Sequence, residues 1–303
     1  NVKLFFPDPW VYSEKAYPKN LNKILKPIKK FIKNRGNDGI FKKIISIISI
    51  ISILIKYLGP LSVIKSISRT LYDFFKLKKN YVFFCNWEYL CLKVLIKVIK
   101  EKENFISIYF INSLAHVQHH YWSQKKYSKE IKYCLNYLNI MIKHIYENKN
   151  FKIVIINGLS QKNSEKEELC LYEQKSHSNF LKQLNINFHK IEKLMTNDAY
   201  IFFKDKKDTI KCKEILMNIK FKNKNIFHVQ LIDDKKIFYK TNFIKKVKKK
   251  DILTGNNYHL KFLDYFNFIT LRRGIHSQNG DILSEKKIFP KKIENHNIFK
   301  YLK

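Results

Sequence analysis

Two hydrophobic rhythms run along this chain. Short apolar runs dense in Ile, Val, Phe and Tyr predict strands, and longer stretches repeating every three to four residues predict helices. VKLFF, residues 2–6, predicts a strand ending in the turn-prone Pro7–Trp10, where Asp8 reads as an Asx-type turn or a helix cap. Residues 19–33 have helical periodicity interrupted at Pro27, and Asn34–Gly39 reads as a loop. Ile44–Ile55 is the most apolar run, with serine at every third place; Gly59-Pro60 ends it, and Leu61–Leu77 predicts a further helix. Residues 19–78 therefore form a helical block. Residues 81–85 fit a strand or a helix start, and Trp87–Lys102 predicts a helix. Phe105–Ile111 then predicts a central strand that breaks into the polar Asn112-Ser113. Tyr127–Asn148 predicts a long amphipathic helix. Lys152–Ile156, KIVII, has the continuous apolar character of a strand inside a parallel sheet and ends in the turn Asn157–Gln161. Strand, turn, helix, strand, turn is a βαβ rhythm, so the expected fold class is α/β with a mostly parallel central sheet.

Further on, Asn163–Gln183 predicts a helix, Ala199–Phe203 a strand and Lys211–Ile219 a helix. Ile226–Ile232 and Lys236–Thr241 flank Asp233-Asp234 as a β-hairpin. Lys245–Lys250 reads as a solvated loop, Leu271–Leu283 as a polar loop, and the tail after Pro290 as peripheral.

Composition narrows the partners. The 303 residues are 45% hydrophobic, enough for a sizeable core. The net charge of +34 suggests anionic partners, but only Arg35, Arg69, Arg272 and Arg273 among the 59 basic residues are arginine. Nucleic-acid sites draw on the planar fork of arginine, so nucleic acid is not expected as a dedicated partner. Lysine spread evenly beside Ile, Asn, Phe and Tyr matches the codons of an AT-rich genome. Peripheral contact with a membrane surface remains open, because the 44–55 helix is flanked by lysines and is shorter than the about 20 residues a span needs. The cysteines are Cys85, Cys91, Cys134, Cys170 and Cys212, an odd number without a CxxC pair. A reduced, cytoplasmic chain with buried thiols is expected.

The candidate chemistry follows the central strand. His116, His119 and His120 fall within five residues, and His116 would share a face with either of the others if the segment is helical. That spacing suits a metal or an anionic ligand, and it suits an exposed helix start equally well. Tyr121 and Trp122 read as core anchors. In LRRGIHSQNGDIL, residues 271–283, Arg272, Arg273 and His276 suit an anion. His144, His177, His189, His228, His259 and His296 lack partner spacing and carry no assigned role.

Taken in order, NSLAH (112–116), INGLSQ (156–161) and GIHSQNG (274–280) resemble the alkaline phosphatase superfamily, and within it the type I phosphodiesterase/nucleotide pyrophosphatase-like proteins. In that family a D-x-x-G-H segment follows a central strand, a later strand ends in Asp-His-Gly, and a third His comes near the C-terminus. His116 falls on the first His and His276 on the last. Asn112 and Ala115 replace the Asp and Gly, and Gly158 and Leu159 replace the two ligands of the second turn. The resemblance covers roughly residues 80–285. It implies a three-layer α/β sandwich over residues 1–303 with a helical insertion at about 19–78 and a small β-hairpin region. It implies zinc or another divalent metal on His116 and His276, His119 as acid or base, and Asn112, Asn157, Arg272 and Arg273 on a phosphate or sulfate ester. The family's nucleophile segment would precede Asn1, so a fragment is expected. Two functions follow: a divergent metal-dependent hydrolase or transferase of phosphate or sulfate esters, and an inactive binding protein on the same fold for a nucleotide, sugar phosphate or protein partner.

Overall fold

The computed structural model describes the chain except for residues 1, 12, 34–39, 100–105, 123–127, 149–151, 158–159, 165–168, 195–196, 256–257, 286 and 303. The expected loop at 34–39 therefore lies outside the described residues. Two compact units emerge, residues 1–165 with 273–303, and residues 166–272.

The first unit begins with β1 (Val2–Phe6), followed by α1 (Asn22–Lys33), α2 (Ile40–Leu58), α3 (Pro60–Leu77) and α4 (Tyr81–Val98). Next come β2 (Ile106–Tyr109), α5 (Ser113–Tyr121), α6 (Lys129–Asn148), β3 (Val154–Asn157) and β4 (Ser160–Asn163). Helix α4 is the spine. It is apolar nearly all round, the mark of a helix packed on several sides. Its Leu90, Cys91, Val94 and Leu95 share a core with Leu4 and Phe6 of β1, Ile24 and Leu25 of α1, and Leu54 and Leu58 of α2. Its Tyr81, Val82 and Cys85 pack with Val117 of α5 and with Ile131, Cys134 and Tyr137 of α6. All five cysteines are free and buried, as expected.

The second unit holds β5 (Leu169–Gln174), α7 (His177–Gln183), β6 (Lys190–Lys193), β7 (Asp198–Phe202) and α8 (Lys206–Asn218). It continues through β8 (Lys220–Phe221), β9 (Lys224–Asn225), β10 (Phe227–Asp233), β11 (Lys236–Thr241), β12 (Ile252–Gly255), β13 (Tyr258–Lys261), α9 (Phe262–Tyr265) and β14 (Phe266–Arg272). Strands β10, β11, β7 and β6 form one antiparallel sheet, and β13, β12, β8 and β9 another. Phe180 and Leu181 of α7, Cys212 and Leu216 of α8, Ile201, Ile237, Tyr239, Phe262 and Phe266 share one core. The chain then returns to the first unit with β15 (Gly274–Ser277) and β16 (Asp281–Ser284).

The expected three-layer sandwich with a mostly parallel central sheet is not observed. Strands β1 and β2 are parallel but form a sheet of their own, and the remaining sheets are small and antiparallel. KIVII is a strand, but it pairs antiparallel with β16 and leaves Ile156 exposed. A short apolar run reports burial without reporting its partner's direction, and here the returning segment 274–284 supplies the partner. The same return converts the expected 271–283 loop into the end of β14, β15 and β16. The helix expected over Asn163–Gln183 is instead the end of β4, strand β5 and, from His177, α7. The helical block and the hairpin around Asp233-Asp234 stand as expected.

Candidate functional site

The parallel pair β1–β2 sets the first half of the site. Both strands run toward the same end, where Pro7-Asp8 follows one and Asn112 follows the other. Asp8 is buried and its Oδ1 accepts the Trp10 backbone N–H at 3.1 Å, the expected Asx-type turn. Its Oδ2 accepts the Asn112 amide Nδ2 at 2.8 Å. Burial pushes the Asp8 carboxyl up, against the Trp10 N–H, the Lys29 charge and the Asn112 amide. Lys29 itself is held by the carbonyls of Val11, at 2.6 Å, and Glu14.

Asn112 begins α5, but its side chain does not cap the helix. The cap comes from α4: Glu88 Oε1 accepts the N–H groups of Asn112 at 2.7 Å and Ser113 at 2.8 Å, and Oε2 accepts the Ser113 hydroxyl. A carboxylate at a helix N-terminus meets unsatisfied N–H groups and the favourable end of the dipole. Part of the Glu88 residue surface is exposed, yet its carboxylate is enclosed, and burial pushes its pKa up to about 7 against those hydrogen bonds. The cap orients α5, which carries all three clustered histidines.

His116 lies against Trp10, with ring centroids 4.8 Å apart, and stacks on Phe84 at 5.9 Å. One turn on, His119 meets β15. Its backbone carbonyl accepts the Arg273 N–H at 2.6 Å, and its Nδ1 lies 2.8 Å from the Gly274 carbonyl. A carbonyl only accepts, so Nδ1 carries the hydrogen and Nε2 of the neutral ring keeps its lone pair, a tautomer assigned from this geometry. Gln161 Nε2 lies 3.4 Å from that Nε2 and donates to the Ala115 carbonyl at 3.2 Å. The His276 ring meets the His119 ring edge-on at 4.8 Å. Gln161 and His276 are register partners across β4 and β15. Gly274 permits this approach: a Cβ there would stand 2.6 Å from the Gln118 carbonyl oxygen of α5.

The structure thus brings His119, His276 and Gln161 together from the three segments singled out in the sequence. Asn112 joins Asp8, and His116 sits one turn from His119. Asn157 is exposed at the end of β3, in register with Asp281. Arg273 contributes its backbone to the α5 link. Arg272 closes β14 in the other unit, across from Leu169, where burial lowers its guanidinium pKa. Gly158 and Leu159 lie outside the described residues. Asp8 and Glu88 were not among the sequence candidates. Glu88 had a signal: it is the one acid in a largely apolar helix.

Among the described residues, no three His, Cys, Asp or Glu side chains converge as a metal site. The group at His119 offers two imidazoles and an amide, short of the four ligands zinc prefers.

The second unit holds a separate polar cluster inside its core. The Tyr239 hydroxyl donates to Gln174 Oε1 at 2.9 Å and meets His177 Nδ1. Burial, with the charge of Lys193 adding to it, pulls the His177 pKa down to about 4.

No family model, curated protein or solved structure matches the chain. The resemblance to the alkaline phosphatase superfamily rests on the three motifs alone.

Proposed function

We propose that this chain binds a phosphate or sulfate ester at the His119–Gln161–His276 group and hydrolyses it, with His119 as the general acid and base. The observation that carries the reading is that the Gly274 carbonyl at the start of β15 holds the His119 ring by Nδ1, with the His119 backbone tied to the Arg273 N–H, which leaves Nε2 toward Gln161 and beside His276. An oriented imidazole is what proton transfer near neutral pH needs. His119 Nε2 takes a proton from the attacking water as its oxygen bonds to phosphorus or sulfur. The bond to the leaving oxygen breaks, and the imidazolium returns the proton to it. His276, His116 and Arg273 hold the anionic oxygens, and Asn112 donates to the ester from its place beside Asp8. The strongly positive chain favours anionic substrates in general.

The test is hydrolysis of bis-p-nitrophenyl phosphate, p-nitrophenyl phosphate and p-nitrophenyl sulfate, with zinc or manganese supplied so that a metal requirement does not hide activity. Wild-type chain is expected to turn over at least one ester. His119→Ala is expected to lose about 10²–10⁴-fold in kcat while keeping its circular dichroism. Equal turnover in the variant overturns the assignment.

A second reading has its own observation. Gln161 and His276, the side chains that meet His119, are an amide and an imidazole, groups that hold an anion by donating hydrogen bonds. On this reading the group binds a nucleotide, a sugar phosphate or an anionic segment of a protein without cleaving it. Calorimetric binding of such a ligand, lost in His119→Ala and unaccompanied by hydrolysis, distinguishes it from the first.

A further inference from the structure

Helix α3 wears its apolar stripe on the outside. Leu61, Ile64, Leu71, Tyr72 and Phe75 are all exposed, Leu61 at 83% and Phe75 at 71%. Their spacing of three, seven, one and three residues places them along one helical face. The opposite side holds the buried Val63 and Thr70. Helix α2 behaves the same way over its first half. Phe41, Ile44, Ile45 and Ile48 recur at helical spacing and are exposed, Phe41 at 75%, while Leu54 and Leu58 of its second half enter the core. The two helices join at Gly59, whose positive φ of 81° is a backbone conformation that glycine adopts without a Cβ penalty. Scattered exposed apolar residues are normal on a protein surface, but stripes of this size mark an interaction face.

The charges beside the stripes indicate the partner. Lys42, Lys56, Lys65, Arg69, Lys76 and Lys78 are exposed around them. Between residues 40 and 80 the only acid is Asp73, which is partly buried and accepts the Tyr133 hydroxyl at 2.7 Å. Apolar stripes edged by cations and nearly free of acid complement a surface of hydrocarbon under anionic headgroups. Among the described residues no helix is long and apolar enough to cross a membrane, so the helices would lie in the interface and not span it. We propose that α2 and α3 form a docking face for an anionic lipid membrane, independent of the chemistry at His119.

The test is flotation with vesicles of phosphatidylcholine alone and with phosphatidylserine added. It compares wild type with the double variants Ile44→Glu/Ile48→Glu and Leu61→Glu/Phe75→Glu. All four positions are exposed, so circular dichroism should match wild type. Wild type is expected to bind the anionic vesicles, to bind less as salt rises, and to bind poorly to phosphatidylcholine alone. Each double variant is expected to lose at least about tenfold in partitioning, because it removes two apolar insertions and adds two anions. Three results overturn the proposal. The first is no binding of wild type. The second is binding that the variants leave unchanged, which would assign it to diffuse lysine charge. The third is a concentration-dependent dimer, abolished by the same variants, without vesicle binding, which would make the face a contact between copies of the chain.

Discussion

Asn112 faces a buried acid, and its surroundings say why a neutral amide fits there. The Asn112 amide donates to Asp8, a buried carboxyl that burial already pushes up. Two carboxyls at this distance would have to share a proton or a cation. Asn112→Asp is expected to destabilise the chain by about 1–3 kcal/mol at pH 7 and to recover part of that loss in acid, read from urea midpoints. Glu88 gives a second pH effect. The folded chain keeps its proton up to about pH 7, whereas the unfolded carboxyl releases it near 4.5. Folding therefore takes up a proton in that window, and stability falls as pH rises through it. Roughly 2 kcal/mol is at stake after allowance for screening of the partly exposed residue. Trp10, Trp87 and Trp122 all lie in the first unit. Tryptophan fluorescence should show that slope in wild type and its loss in Glu88→Gln.

At the scale of elements, one contact decides the site: β15 laid against α5. Hydrogen bonds at Arg273, just before β15, and at Gly274 tie them, and the missing side chain of Gly274 lets the backbones meet. Gly274→Ala places a methyl group against a carbonyl oxygen that belongs to the backbone and cannot swing aside. A loss of about 1–3 kcal/mol is expected in tryptophan-detected urea unfolding, with a larger proportional loss in ester binding than a distant substitution of equal cost. Helix α5 illustrates a second point. Its first N–H groups are capped by Glu88 of α4, 24 and 25 positions upstream, so its cap is not encoded in its own residues.

At the scale of the whole molecule, residues 166–272 form a continuous unit between the two parts of the other. Its ends are register partners, Leu169 beside Arg272, which is how an insertion leaves its host chain undisturbed. With its own core of aromatic and aliphatic residues, 166–272 expressed alone is expected to unfold cooperatively by far-ultraviolet circular dichroism. Its pH response should oppose that of the first unit. Buried His177 stays neutral in the folded state down to about pH 4, whereas the unfolded imidazole binds a proton near 6.5. Stability is therefore full above 6.5 and falls as pH drops toward 4, by about 3 kcal/mol at full titration. His177→Gln should remove most of that loss.

The sequence by itself determined the local features. Apolar periodicity placed the 19–78 helices and the hairpin around Asp233-Asp234, because each depends on contacts within a few residues. The sequence leaves open whether His116 and His119 lie on one helix, and that they do is a finding of the structure. Three short motifs marked the segments that meet at His119. Tertiary structure alone decided strand direction, since KIVII reads the same whichever way its partner runs. It decided that Glu88 caps α5, that Asp8 faces Asn112, and that β15 reaches His119 from 155 positions away. It also turned the stripes of α2 and α3 outward, because periodicity shows that a helix has an apolar face but not which neighbour, if any, covers it.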